Sequence, residues 1–157
     1  MMKNTVQTLK RIAVCVVVAT IGVTATASPQ VLAPEKAIRA RQAAYFLMGM
    51  QMARINATVK GDVPFDKSTM QISVEALDLI GRMVTDNFPP GSDQGTTKAK
   101  PEVWKEAPRF KQLALESQSE AAKLKAAVHA GDMSTIKAAY GATSKSCKAC
   151  HDTFKAQ

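Results

Sequence analysis

Near the end of the chain stand two thiols and an imidazole, in the order Cys147-Lys148-Ala149-Cys150-His151. Thiols three residues apart can each add across a vinyl group of one porphyrin, and the adjacent imidazole can then hold the iron as its axial ligand. The pattern therefore reads as an attachment site for c-type haem. Two other chemistries use a Cys-x-x-Cys pair. A zinc site needs two further Cys or His ligands, for which the chain offers only Cys15 and His129. A redox dithiol wants its pair opening a helix after a strand, and no β-branched run precedes Cys147. His129, isolated among alanines, has the setting of a solvent-exposed or helix-terminal residue.

Whichever chemistry operates, the elements that must position these groups are helices. Over 35–59 a stripe of one face, apolar but for Arg41, recurs in alternating steps of three and four: Ile38, Arg41, Tyr45, Met48, Met52, Ile55 and Val59. Gly61 and Pro64 close that helix. A second helix starts at Asp66 or Ser68 as cap and carries Ile72, Leu77, Ile80, Met83 and Val84 before Asn87-Phe88-Pro89-Pro90-Gly91 ends it. Residues 92–100 are polar and without hydrophobic period, a surface crossing loop. Pro101 opens a short turn around Val103 and Trp104, and Pro108 is expected to separate that turn from a third long helix. The third helix presents Phe110, Leu113, Ala121, Leu124 and Val128 and ends at Gly131-Asp132. The fourth begins near Ser134 and runs through Ile136, Tyr140, Thr143, Cys147, Cys150, His151 and Phe154. The fold class is thus all-α, an antiparallel up-down four-helix bundle with its haem bound covalently near the C-terminus. On a helix the two thiols and the imidazole stand at i, i+3 and i+4, one face toward one porphyrin.

The N-terminal stretch 1–27 has a basic start (Lys3, Lys10, Arg11), an apolar middle from Ile12 to Val23 and a small-residue end, Ala25-Thr26-Ala27. It reads as an export signal cleaved before Ser28, leaving residues 28–157 as one domain with no membrane span. Val14 before Cys15 argues against lipidation. The mature segment holds 18 Lys and Arg against 13 Asp and Glu. Its basic residues are scattered singly without interleaved aromatics, which speaks against nucleic acid and for a solvated surface able to steer acidic redox partners.

With these motifs in place, the chain resembles the cytochrome c′ family of class II c-type cytochromes. The resemblance rests on the C-terminal run Cys147 to Lys155, on Arg41-Gln42-Ala43-Ala44-Tyr45-Phe46-Leu47-Met48-Gly49, on Val59 to Phe65 and on Lys100 to Trp104. It implies haem c attached through Cys147 and Cys150, an iron ligated by His151 and a second face without a protein ligand. It further implies that Tyr45, four residues after Arg41, is the side chain over that open face, and that Arg41 and Gln42 approach the haem propionates. An Arg within an apolar stripe needs an anion, and a propionate would serve.

The implied function is that of a periplasmic protein that binds nitric oxide and carbon monoxide, sequestering or helping to dispose of nitric oxide, rather than an enzyme. The family's proximal Arg is Lys155 here, which keeps charge but not guanidinium geometry. The alternative is a low-spin, six-coordinate electron carrier with an axial Met, for which Met48, Met50 and Met52 are candidates; Met at heptad spacing is more often core filler. The family also implies a homodimer through the first two helices, for which Phe46, Leu47 and Met50, off the heptad stripe, would supply cover-seeking side chains.

Overall fold

The computed structural model describes residues 32–157, so the expected export signal at 1–27 lies outside the described residues. Five helices follow in order: α1 (Pro34–Lys60), α2 (Lys67–Val84), α3 (Glu102–Lys105), α4 (Ala107–Ala130) and α5 (Met133–Phe154). α1 packs on α2, α2 on α4, α4 on α5 and α5 back on α1, so the four long helices close an up-down bundle, with one-turn α3 outside the frame.

Local chemistry sets each boundary. Pro34 opens α1, where a missing N–H costs nothing, and Gly61 at φ 87° ends it, its N–H turning back to the last carbonyls. α2 is capped by Asp66, whose carboxylate accepts from the Thr69 N–H at 2.8 Å. Ser68 does not cap but donates its hydroxyl to the same carboxylate at 2.7 Å. Asp132 caps α5 in the same way, accepting from the Thr135 N–H at 2.7 Å. Pro108 does not separate two helices as expected. It sits inside the first turn of α4, where proline is tolerated, and the break falls two residues earlier, at Glu106 with φ −113° and ψ 40°.

The inner face of α2 also differs from the expected one. Met70, Ser73, Val74, Leu77, Asp78, Gly81 and Val84 face inward, while Ile72 and Met83 remain 66% and 59% exposed. The helix is apolar on two sides, so hydrophobicity alone does not single out the face that α1 and α4 cover.

The core is divided. At the end remote from Cys147, Ile55, Val74, Leu77, Leu124, Val128 and Ile136 interdigitate with almost no exposure, each contributing roughly 2 kcal/mol through burial. At the other end a smaller cluster joins Val103, Phe110 and Phe154, with Phe88, Trp104 and Cys150 against it. Its rings stack edge to face, Phe88 with Phe110 at 4.9 Å and Phe110 with Phe154 at 5.3 Å. Between the two clusters side chains do not fill the bundle.

Candidate functional site: a haem cavity between α1 and α5

The space between the clusters is a cavity of about 1290 Å³, walled by all four long helices and by the crossing loop. Protein interiors are otherwise close-packed, and a void of this size exceeds what a drug-sized ligand needs. Its lining is mainly apolar and includes Tyr45, Met48, Leu77, Phe110, Cys147, Cys150 and His151.

α5 places Cys147, Cys150 and His151 on one side of this cavity. Both thiols are free and half-buried. Burial pushes the Cys150 thiol up to about 11, with Cys147 adding to the effect, and burial likewise raises Cys147. Before any thioether forms, the pair is therefore neutral. The imidazole of His151 is lowered in basicity, first by burial and then by the charge of Lys155, against the opposing pull of Asp152. A neutral imidazole keeps a lone pair for a metal. Among the described residues no cluster of three His, Cys, Asp or Glu side chains is arranged to hold a bare metal ion. His129, the other candidate zinc ligand among them, is engaged between α2 and α4, bonded to Gln71 at 3.1 Å and Glu75 at 2.8 Å.

Opposite α5, α1 presents Tyr45. Its ring lies 6.5 Å from that of His151 at 71°. Burial is the main reason its phenol holds its proton far above the ordinary range, with Cys150 and Cys147 reinforcing and Arg41 opposing. Met48 and Met52 also line the cavity and pack on the larger core. The Met48 methyl is turned onto α2, where a Cβ on Gly81 would stand 3.8 Å from it. Met50 is 46% exposed and lies outside the lining.

Arg41 lines the cavity and is 3% exposed. Its guanidinium donates to Ser92 Oγ at 2.8 Å, Thr97 Oγ1 at 2.7 Å, the Asn87 carbonyl at 3.2 Å and the Ser92 carbonyl. It also stands 4.9 Å over the Phe88 ring and 5.7 Å from that of Trp104. The need for acceptors that burial creates is met by neutral oxygens of the crossing loop. Gln42, more exposed, donates to the Thr96 carbonyl at 2.9 Å and reaches the same wall. Lys155 follows α5, its N–H bonded to the His151 carbonyl at 3.0 Å.

Reasoning from sequence missed Ser117 and Gln118, which stand on α4 between Ala114 and Ala121 in the cavity wall. Gln118 donates to the Gly81 carbonyl at 3.1 Å, and the Ser117 hydroxyl is buried without a partner. Helical spacing of 114, 117, 118 and 121 was the available signal, obscured because two of the four are polar.

Two thiols and an imidazole from one helix, a phenol from another 6.5 Å from that imidazole, and a large, mainly apolar cavity that all four line fit a covalently held porphyrin. The family model described as Cytochrome C′ matches residues 36–155. The chain is 38% identical over 122 residues to cytochrome c′ of Alcaligenes xylosoxydans xylosoxydans, covering 78% of this chain and 94% of that protein. Crystalline cytochrome c′ from Rubrivivax gelatinosus is similar in fold, with a TM-score of 0.76 at 38% identity over 80% of this chain and 99% of that one. A nitric oxide complex of a leucine-to-alanine variant of the Alcaligenes xylosoxidans protein has a TM-score of 0.74 at 38% identity, covering 79% and 96%. With haem c carried through Cys147 and Cys150, the chain belongs to the cytochrome c′ family.

Proposed function

We propose that this is a periplasmic protein whose haem iron is ligated by His151 alone and that it takes up small neutral gases on the Tyr45 side, nitric oxide and carbon monoxide among them. The observation that carries this function is the Tyr45 ring set 6.5 Å from His151, in the place where a sixth ligand would have to come from α1. Once bound, the haem supplies an iron that takes diatomic ligands and changes oxidation state by one electron. What the chain adds is position and exclusion. α5 fixes the imidazole and both thioether anchors on one rigid helix. The Tyr45 ring, in the cavity lining 6.5 Å from the imidazole, takes up space on the side away from α5. The apolar wall disfavours water, and a neutral gas enters by displacing side chains.

The nitric oxide complex of a similar protein supports the ligand class. Sequestration or disposal of nitric oxide is the role proposed for it, with export through residues 1–27 bringing the protein to the periplasm. Arg41 and Gln42, both in the cavity wall, are proposed to face the propionates.

The competing function is an electron carrier with an axial Met, for which Met48 in the lining is the one candidate the cavity offers beside Met52. A visible spectrum of the reduced protein with and without carbon monoxide decides. A high-spin spectrum that shifts with the gas supports the open iron, and a sharp low-spin spectrum indifferent to it overturns the proposal. Dioxygen gains from a hydrogen-bond donor that the Tyr45 hydroxyl is proposed not to supply. A long-lived oxy complex in air would contradict that part.

A further inference from the structure

We propose that the mouth of the cavity is a docking surface for an acidic one-electron carrier protein, built by two segments that lie far apart in sequence. The Lys100 N–H donates to the Phe154 carbonyl at 2.9 Å and the Ala156 N–H to the Lys98 carbonyl at 2.8 Å. These bonds stitch Ala99 to Lys155 as an antiparallel bridge and tie the end of the crossing loop to the chain just beyond His151. Lys98, Lys148 and Lys155 line the cavity itself and are exposed. Lys100 reaches the Asp152 carbonyl at 3.4 Å, and Lys145 lies one turn before Lys148 on α5.

Of these five lysines, only Lys148 has a carboxylate within ion-pair distance among the described residues, Asp152 at 2.5 Å. Segments 98–100 and 145–155 therefore hold five lysines against one aspartate, which is four of the five net positive charges carried by residues 32–157. Two propionates counted against that total still leave the mouth positive. The other end of the bundle has no such excess: Lys60 and Lys67 there are matched in number by Asp62 and Asp66.

Charge concentrated at the opening of a redox site acts chiefly on encounter, raising association with partners of opposite sign and losing its effect as salt rises. The partner fitting this surface is a protein with an acidic patch around its own redox centre. One electron passes from that reduced centre to the ferric iron, with no bond made or broken and no proton moved. This surface rests on the haem-binding function proposed above, which the carbon monoxide spectrum of each variant reads separately; a lost gas site and a lost docking surface give different results.

The test uses the haem-loaded protein, an acidic flavodoxin as protein probe and two flavin semiquinones as small probes, flavin mononucleotide with its phosphate and neutral lumiflavin. At low ionic strength flavin mononucleotide semiquinone is expected to reduce the iron several-fold faster than lumiflavin semiquinone, the ratio approaching one in 0.5 M salt. Joint Lys98→Glu and Lys145→Glu substitution is expected to remove that advantage and to weaken calorimetric binding of flavodoxin by at least roughly tenfold. Lys60→Glu with Lys67→Glu, at the far end, is expected to change neither more than about twofold. Equal losses in the two pairs would show that net charge alone acts, and salt-independent rates would remove the surface altogether; either overturns the proposal. If the glutamate pair fails to fold, Lys98→Gln with Lys145→Gln gives the same comparison at half the charge change.

Discussion

The Arg41 guanidinium on α1 donates to the Ser92 hydroxyl at 2.8 Å, across 51 residues of sequence, and both residues are buried. With Thr97 and the Asn87 carbonyl as further acceptors, this one side chain holds the crossing loop against α1 and fixes one wall of the cavity.

Replacing Arg41 by Gln removes a charge whose partners stay buried, so the loss is the desolvation of Ser92 and Thr97 as much as the bonds themselves. Stability of the haem-loaded protein is expected to fall by about 3 kcal/mol in chemical denaturation. Arg41→Lys should recover only part of it, because an ammonium cannot span Ser92, Thr97 and Asn87 or stack on Phe88. Full recovery by Lys would contradict the role of the planar fork.

Tyr45 faces His151 with its ring, so its bulk rather than its hydroxyl is expected to govern gas entry. Tyr45→Ala should raise the carbon monoxide association rate by roughly tenfold or more, equivalent to about 1.4 kcal/mol removed from the barrier. Tyr45→Phe keeps the ring and should leave that rate within about twofold. Flash photolysis of the ferrous carbon monoxide complex measures both. A large change in the Phe variant would transfer the control to the hydroxyl.

How much of this was legible beforehand differs by element. The spacing of Cys147, Cys150 and His151 carries its own geometry, since i, i+3 and i+4 share a helical face, and the α1 stripe through Tyr45 was periodic enough to place it inward. α2 was not legible in the same way: Ile72 and Met83 are as hydrophobic as Val74 and Leu77, and only contact with α1 and α4 decides which pair is covered. The acceptors of Arg41 and the bridge between Ala99 and Lys155 come from segments without periodicity, brought together by the closure of the bundle. Nothing local in their sequence announces them.

Two carboxylates cap helices and titrate accordingly. Asp66 is held below its ordinary value first by the Thr69 N–H, and Asp132 first by the Thr135 hydroxyl. Their folded-state pKa values are depressed, so the stability they contribute is complete above the unfolded-state value near 3.8 and is lost as pH falls through the folded values below it. Acid unfolding is expected to steepen below about pH 4. In Asp66→Asn with Asp132→Asn, which keeps a cap oxygen but cannot titrate, the dependence of Tm on pH between 4 and 2 should flatten. A slope identical to that of the parent would locate the acid sensitivity elsewhere.

An apolar strip runs along the outside of α1 and α2. Phe46 and Met50 stand one turn apart on α1, 68% and 46% exposed, and Ile72, Leu79 and Met83 follow one face of α2 at 66%, 54% and 59%. α1 packs directly on α2, so these large apolar side chains stand on neighbouring helices, and apolar groups exposed in such number seek cover. A second copy of the chain related by a two-fold axis would cover the strip with its own counterpart. The haem-loaded protein is therefore expected to sediment as a dimer, and Phe46→Glu with Met83→Glu to sediment as a monomer with an unchanged carbon monoxide spectrum. The two-fold axis repeats both substitutions in the partner copy, so four charges would enter the interface. A parent protein that is monomeric at micromolar concentration would leave the strip without this role, and a double variant that stays dimeric would move the interface to another face.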